Sequence, residues 1–477
     1  GWRNSDENSE HPVVIHIQDA HTSLEAQENI AALIEYYTSG EDEPKDKPLL
    51  VCAEGASGKC RTEQFASFPD KAVKAFVGRQ FMKRGKLTGS EYQSIMANET
   101  FDLYGAESRE LYLDNYDAYV AVVNKRDDIL GSIEAVEDIL SELKETRFNS
   151  RLKQLFKDHV SFEEGGTNLI QYIAGLVEEA RQEGINVLEY ANIALFLESM
   201  HLQQKAATEE LKKEQNQLLR AASQSGNNDQ WHTQYISGRI SEKDYFVYLR
   251  NQITQRGLDQ RDYRNIVLYA AYLEKMSRVD ISRLMYEKRD LRWRIEKQLA
   301  SSYHERQIVS VSQMIEMLRI LIRLEGVQED VTFFFDHREI FSERLIQNRL
   351  REVCPRGAGR LIESLRLNAV LAEVEKFYRR AAERNTALVS NALARQSENK
   401  NKAEEVVLIA GGYHTPGITE ELRQRDIPYV VITPTISDVS ADIPYEDRML
   451  LRLTPFEKII ANPAVNTIAF QLLSAEK

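Results

Sequence analysis

The chain has 477 residues, too many for one ordinary hydrophobic core, so two or three structural units are expected. Hydrophobic residues make up 42% and charged residues 28%, as in globular, soluble proteins. The net charge of −13 argues against nucleic acid as a partner, and no stretch approaches the roughly 18–20 apolar residues of a membrane span.

Cysteine usage predicts no disulfide framework. Cys52, Cys60 and Cys354 include no CxxC pair, and Cys52 lies in an apolar run that predicts burial. A Cys52–Cys60 bridge is the alternative for an exported chain. The chain begins Gly-Trp-Arg without methionine, which is typical of a trimmed or truncated product. Export after removal of a signal peptide is therefore one hypothesis, and the sequence does not decide the localisation.

The first part of the chain alternates strands and helices behind a polar leader at 1–12. A charged loop is predicted at 40–48. The remaining predicted elements are strands at 13–17, 49–53 and 101–106, and helices at 23–38 and 62–98, the latter with a break near Gly85–Gly89. This β-α-β-α-β order is typical of parallel strands joined by right-handed crossovers.

From about 112 to 398 the pattern predicts little but helix. Five apolar residues step by four, three, four and three, as in a coiled-coil seam: Ile129, Ile133, Val136, Leu140 and Leu143. The apolar run at 331–337 is too short to distinguish a strand from a buried helical turn. The α/β pattern resumes with a strand at 406–410, a helix from 417 and a strand at 427–433.

The sequence thus predicts an α/β fold with a mostly parallel sheet and flanking helices, interrupted by a large all-helical insertion. Residues 1–111 and 376–477 form a split α/β domain in this interpretation, and residues 112–375 form the insertion. The apolar faces of the inserted helices must be buried by something. A lid over a pocket, a partner surface and a homo-oligomer interface are the three alternatives.

Four predicted strands end in imidazoles or carboxylates. The first ends in HIQDAH (16–21), and the next two end at Glu54 and Glu107. His414 follows the strand at 406–410. Because ligands bind at the carboxyl ends of parallel strands, these side chains predict a reactive centre at one edge of the sheet.

The HIQDAH segment has three interpretations. His16, Asp19 and His21 offer two nitrogen ligands and one oxygen ligand, a set that suits zinc, manganese, iron or cobalt. The same residues suit a metal-free acid–base pair. The structural alternative is that Asp19 caps the following helix and one histidine is simply buried.

The GGYHT segment (411–415) predicts a strand-to-helix turn with His414 beside it. Thr415 is expected to cap the helix that Pro416 begins, so that free N–H groups point at an anion or oxyanion. An ordinary glycine-rich turn with a chance histidine is the alternative interpretation.

Glu54 and Glu107 follow apolar strands, where a carboxylate is costly to bury unless it is paired, protonated or bound to metal. Either residue could act as a base or ligand, or pair with an arginine. Arg384 is the candidate partner for an anion, since its helix directly precedes the strand that carries His414. Glu54 and His414 complete the candidate metal ligands.

These residues resemble a known superfamily, which includes erythromycin esterase-like proteins, ChaN-like haem-binding proteins and the Tiki/TraB proteases. HIQDAH (16–21), AEGASG (53–58), ERN (383–385) and GGYHT (411–415) carry the resemblance. It implies a compact α/β fold with a pocket of two histidines and a glutamate. Some members are hydrolases, the Tiki-like ones metal-dependent, and ChaN-like members bind haem.

Carried over to this chain, the resemblance assigns Glu54 as the glutamate, Arg384 as the arginine and His414 as the last histidine. The usual glycine of the first motif is absent, so either His16 or His21 is the equivalent of its histidine. The helical middle of the chain has no counterpart in the resemblance.

The first functional hypothesis is a hydrolase of ester or amide bonds with a small-molecule or peptide substrate. Histidine and Glu54 would activate water, directly or on a divalent metal, and Arg384 would stabilise the oxyanion. The second hypothesis is a haem- or metal-complex-binding protein that uses the same histidines with Tyr104 or Tyr413. The third is a non-catalytic protein whose helices carry partner or self-association.

Overall fold

The computed structural model describes residues 12–21, 23–39, 49–97, 101–224, 230–237, 240–398 and 405–434. Almost all of the predicted leader at 1–12, and the loop predicted at 40–48, lie outside these residues. The fold divides into two compact units, one of residues 1–127 with 369–477 and one of residues 128–368.

The first unit is built on a six-stranded sheet with the order β3-β4-β2-β5-β1-β6. Its strands are β1 (Val13–Asp19), β2 (Leu50–Ala53), β3 (Ser57–Lys59), β4 (Asp102–Ala106), β5 (Glu405–Gly411) and β6 (Tyr429–Ile432). Neighbouring strands are parallel except β3 and β4, which are antiparallel. The predicted α/β class with a mostly parallel sheet agrees with this architecture.

β5 lies between β1 and β2, so strands from the two ends of the chain are hydrogen-bonded neighbours. Leu408 of β5 is in register with His16 on one side and with Cys52 on the other. The chain leaves β1 toward β2, and it leaves β5 toward β6 on the opposite side. The carboxyl ends of β1 and β5 therefore flank a topological switch point, where open α/β sheets form their ligand crevices.

Alternate residues of the central strands face opposite sides of the sheet, and both sides are buried. On one side Val14, Leu50, Cys52, Val406 and Leu408 pack against apolar residues of the helices at 367–398 and 415–424. On the other side, the helix at 24–39 packs its buried isoleucines against the alternate set, Ile15, Ile17, Val51, Leu103, Val407 and Ile409. Burial on both faces explains why these strands read as continuous apolar runs.

The helices of the first unit flank this sheet. They are α1 (Leu24–Ser39), α2 (Glu63–Ala66), α3 (Lys71–Lys83), α4 (Gly89–Met96), the first half of α5 (Arg109–Arg147), nearly all of α18 (Leu367–Glu398) and α19 (Thr415–Gln424). A 3₁₀ turn at Gly412–His414 joins β5 to α19. The break predicted near Gly85–Gly89 lies between α3 and α4, and the structure has a further break between α2 and α3.

The described part of the second unit consists of helices, 3₁₀ turns and connecting loops. The helices are α6 (Ser150–Glu163), α7 (Leu169–Gln182), α8 (Ala191–Lys205), α9 (Thr208–Gln224), α10 (Gln230–Ile236), α11 (Glu242–Gln255), α12 (Arg264–Met276), α13 (Ile281–Leu299), α14 (Tyr303–Ile322), α15 (Gln328–Asp336), α16 (Glu343–Val353) and α17 (Gly359–Ser364). The 3₁₀ turns are Val187–Glu189, Arg338–Phe341 and Arg356–Ala358.

Two expectations from the sequence concern the helices at 331–337 and along α5. The run at 331–337 belongs to α15, so the helical alternative is correct for it. Along α5, the predicted seam is buried at Ile129, Ile133, Val136 and Leu140 and partly buried at Leu143. No helix among the described residues is long and apolar enough to cross a membrane.

A close backbone approach at Gly105 yields a test of the sheet. β3 pairs with β4 at this residue, and a Cβ atom on Gly105 would lie 1.9 Å from the carbonyl carbon of Ala56, directly before β3. We expect Gly105→Ala to lower the free energy of unfolding by about 3 kcal/mol or more, because backbone atoms must move. Urea denaturation measures the change.

The matched control is Gly131→Ala on α5, where a Cβ atom would meet nothing within 4 Å. Replacing an unhindered glycine inside a helix is expected to stabilise by about 1 kcal/mol. Equal effects of the two substitutions would contradict the close packing of β3 on β4.

Candidate functional site

The carboxyl ends of four neighbouring strands deliver the polar residues predicted from the sequence. Asp19 is the last residue of β1, Glu54 follows β2, and Glu107 follows β4. His414 ends the 3₁₀ turn after β5. Since these strands lie side by side as β4-β2-β5-β1, their ends form one continuous edge of the sheet.

Glu54 is at the centre of this cluster, and its side chain is 11% exposed. Its Oε1 accepts a hydrogen bond from Arg384 Nη2 at 2.7 Å, and its Oε2 accepts one from the Gly411 backbone N–H at 2.7 Å. Two imidazoles flank the carboxylate, with His414 Nε2 3.3 Å from Oε1 and His21 Nε2 3.7 Å from Oε2. Burial alone would raise the pKa of Glu54, but the imidazoles of His414 and His21 hold it well below its usual range.

Arg384 joins Glu54 to the second buried carboxylate. Its Nη2 also donates to Glu107 Oε1, and its Nε lies 3.3 Å from Glu107 Oε2. Its Nη1 donates to Asn115 Oδ1 at 2.8 Å, and the guanidinium lies over the Tyr112 ring. Burial lowers the pKa of Arg384, but Glu107 and Glu54 raise it by more, so this side chain is a permanent cation.

A chain of hydrogen bonds orients His21. Its Nδ1 donates to Asp19 Oδ2 at 2.5 Å, and Asp19 Oδ1 accepts from Gln27 Nε2 at 2.5 Å. Gln27 in turn accepts from the Gly89 backbone N–H at 2.7 Å. Burial lowers the pKa of His21, but the charge of Asp19, with Glu54, raises it to about 10. The ring is therefore an imidazolium at neutral pH.

His414 has a neutral partner instead of a carboxylate at its Nδ1. That nitrogen donates to the Asn385 side-chain oxygen at 2.7 Å, which leaves Nε2 facing Glu54. Asn385 is packed against Gly417 of α19, where a Cβ atom would lie 1.9 Å from its Nδ2. The absence of a side chain at Gly417 thus makes room for the residue that orients His414.

His16 is fully buried and both of its ring nitrogens have protein partners. Nδ1 donates to the Leu408 carbonyl at 3.0 Å, and Nε2 accepts from Thr415 Oγ1 at 2.9 Å. Burial lowers the pKa of His16 and keeps the ring neutral. Of the two histidines that could match the first motif, His21 is the one beside Glu54, and His16 joins β1, β5 and α19.

The expectation that Thr415 caps α19 is wrong. The helix begins at Thr415 itself, its N-cap is His414, and no side-chain hydrogen bond caps it. The Thr415 hydroxyl instead accepts from Gln18 Nε2 at 3.0 Å and contacts His16. The 3₁₀ turn after β5 advances the helix start by one residue, which the sequence pattern did not indicate.

Sequence patterns do not single out three residues that orient the side chains of this site. Gln27, Asn115 and Asn385 are helical amides whose side chains orient Asp19, Arg384 and His414 respectively. Asn385 alone had a sequence signal, because it directly follows Arg384 in the ERN segment. Gln27 and Asn115 look like ordinary polar helix residues.

In the part of the chain that the structure describes, the predicted ligand side chains are directed at protein partners. No three His, Cys, Asp or Glu side chains among the described residues are arranged to hold one. Both Asp19 oxygens and both Glu54 oxygens accept N–H donors, and His21 is protonated at neutral pH. The buried guanidinium of Arg384 beside Glu54 adds a positive charge where a cation would have to bind.

The two tyrosines of the haem hypothesis have different surroundings. Tyr104 lies within β4, and Arg395 covers its ring at 5.0 Å. Tyr413 is 45% exposed and directly precedes His414. Only Tyr413 therefore lies at the carboxyl edge of the sheet with the histidines.

No protein-family model, curated protein or solved structure matches the chain.

The contact between Asn385 and Gly417 is directly testable. We expect Gly417→Ala to lower the free energy of unfolding by about 1–3 kcal/mol, because the new methyl group displaces the Asn385 amide. In an Asn385→Ala background most of this cost is removed, since only the Cβ atom at 385 then lies close, at 3.1 Å, and a double-mutant cycle gives a coupling of about 1 kcal/mol or more. Additive effects in urea denaturation would show that the two residues are independent.

The raised pKa of His21 yields a second test. Its folded-state pKa of about 10 is above its ordinary value of 6.5. The protonated ring therefore contributes stability in full below pH 6.5, and the contribution is lost as the pH rises through about 10.

Asp19→Asn is expected to lower the pKa of His21, because the carboxylate is the largest influence that raises it. NMR titration of the ring protons measures the shift, with His304, an exposed residue, as internal reference. An unchanged His21 titration would contradict the ion pair.

Proposed function

We propose that the protein is a hydrolase of ester or amide bonds that works by general acid–base catalysis without a metal. The observation that carries the proposal is the ionised Glu54 carboxylate between the Nε2 atoms of His414 and His21, at 3.3 and 3.7 Å. Buried, hydrogen-bonded titratable groups with shifted pKa values at the carboxyl ends of parallel strands are typical of catalytic sites.

His414 is assigned as the general base. Because its Nδ1 donates to Asn385, its Nε2 is the nitrogen that takes a proton from the attacking water. The Glu54 carboxylate beside Nε2 stabilises the imidazolium that forms. Glu54 is not assigned as the base, since both of its oxygens already accept N–H donors from Arg384 and Gly411.

His21 is assigned as the general acid. Asp19 keeps its ring protonated at neutral pH, so Nε2 carries a proton for the oxyanion or the leaving group. Hydrolysis needs one group that accepts a proton from water and another that donates a proton, and the two imidazoles are assigned to these two roles.

Arg384 has a different role in this proposal from the oxyanion contact expected from the sequence. Its donors are directed at Glu54, Glu107 and Asn115, so it positions the Glu54 carboxylate. Glu107 acts through Arg384 in the same way and touches no imidazole in the contacts described above.

We further infer that residues 128–368 are a helical insertion into the α/β unit. The strands before and after them belong to one sheet, with β5 between β1 and β2. A lid and an association surface are both compatible with this inference.

Turnover of p-nitrophenyl esters and aminoacyl p-nitroanilides tests the proposal. We expect His414→Gln to lower kcat/KM by about 10²–10⁴-fold, the usual contribution of a positioned general base. His304→Gln is the matched control, because His304 is an exposed histidine of the second unit and should leave the rate unchanged. Equal rates in wild type and His414→Gln would end the assignment.

Dialysis against a chelator separates this mechanism from the metal-dependent one. The proposal expects the same kcat/KM before and after dialysis. Loss of the rate, with recovery on adding zinc, manganese, iron or cobalt, would replace the metal-free mechanism while keeping the reaction class.

A further inference from the structure

A set of exposed apolar side chains covers α2 and α3. The set, which we call the phenylalanine face, consists of Phe65, Phe68, Val73, Phe76, Val77 and Phe81, each between 42% and 66% exposed. α2 has no buried residue at all. Contiguous exposed apolar surface of this kind marks an interaction site in a folded protein.

The helical geometry of α3 shows that this face is not its core-facing side. Val73, Phe76, Val77 and Phe81 follow the spacing i, i+3, i+4 and i+8, which places them on one stripe. Gly78 and Met82 are the buried residues of the helix, on the opposite side. A Cβ atom on Gly78 would lie 2.7 Å from the Tyr92 ring of α4, so this side of α3 is tightly packed. The helix is thus anchored by one side and presents a second apolar side outward.

The charges around the phenylalanine face are opposite to those of the whole chain. Residues 63–86 carry six basic and two acidic residues, whereas the chain has a net charge of −13. Lys74 Nζ donates to the Ala66 carbonyl at 2.9 Å and ties α3 to the end of α2. Arg79 is paired with Glu28, and the remaining basic residues of this segment still outnumber its acidic ones, so the phenylalanines lie in a segment of net positive charge.

We propose that the phenylalanine face binds the surface of an anionic lipid bilayer. Exposed aromatic side chains enter the boundary between headgroups and acyl chains, and flanking lysines and arginines are attracted to lipid phosphates. A second copy docked face to face would bring the two basic segments together, which like-charge repulsion disfavours. An anionic bilayer has an apolar layer that can receive the phenylalanines and a negative charge that can pair with the lysines and arginines.

Flotation with vesicles of phosphatidylcholine, with and without phosphatidylserine, tests the proposal on the full chain. We expect wild type to float with the phosphatidylserine vesicles, to bind the neutral ones less, and to be released by salt. Phe76→Ser with Phe81→Ser should lower the partition coefficient by about tenfold or more, since two apolar anchors are removed. Lys71→Glu with Lys83→Glu should abolish the preference for phosphatidylserine.

Leu188→Ser is the matched control, because Leu188 is 84% exposed and lies on the second unit. It should bind vesicles as wild type does. All substituted side chains are exposed, so unchanged circular dichroism and thermal midpoints are expected and confirm folding.

Failure of wild type to float, or equal losses in Leu188→Ser and Phe76→Ser with Phe81→Ser, would overturn the proposal. A dimer that Phe76→Ser with Phe81→Ser dissociates, without vesicle binding, would assign the face to a second copy instead.

Discussion

The ion pairs of Arg384 with Glu54 and Glu107 are the interaction on which the candidate site depends. Two carboxylates at the ends of adjacent strands β2 and β4 would repel each other if no cation lay between them. One guanidinium donates to both, and it is 6% exposed, so little water screens the attraction. A buried pair of this kind is costly to break, because either partner would be left as an unpaired buried charge. The position of the Glu54 carboxylate, which the two imidazoles face, follows from this arrangement.

The two imidazoles beside Glu54 have different hydrogen-bond partners at Nδ1. His21 donates its Nδ1 proton to a carboxylate, Asp19, whose charge favours the protonated ring. His414 donates its Nδ1 proton to a neutral amide, Asn385, which fixes the ring without adding a charge. Both Nε2 atoms face the same carboxylate, and the two rings differ in the partner at Nδ1. The hydrogen-bonding residues behind the histidines therefore fix the orientation of both rings, and Asp19 also favours the protonated form of His21.

The sequence could indicate which residues meet but not how they are oriented. Runs such as VVIHI and VVLIA predict buried parallel strands, and a parallel sheet forces Glu54, Glu107 and His414 to one edge. Strand periodicity alone does not decide between His16, which lies within the run, and His21, which follows it, because the turn after Asp19 determines which one faces Glu54. β3 was missed because three residues, Ser-Gly-Lys, carry no apolar pattern. The amides of Gln27 and Asn115 come from helices, where a polar residue gives no sign of its distant partner.

The way the chain leaves and re-enters the first unit explains how Arg384 reaches the sheet edge. The first turns of α5 follow Glu107 directly, and α18 returns alongside them. Asn115 Nδ2 donates to the Phe377 carbonyl at 2.8 Å, and Asp114 pairs with Arg380 at 3.1 Å. Further along, Lys125 pairs with Glu373 at 3.4 Å. These contacts lie within the first unit, so they position Asn115, Arg384 and Asn385 from two helices that are themselves joined. The residues that form the site therefore all belong to the first unit, although Glu107 and Asn115 are more than 250 residues from Arg384 and Asn385 along the chain.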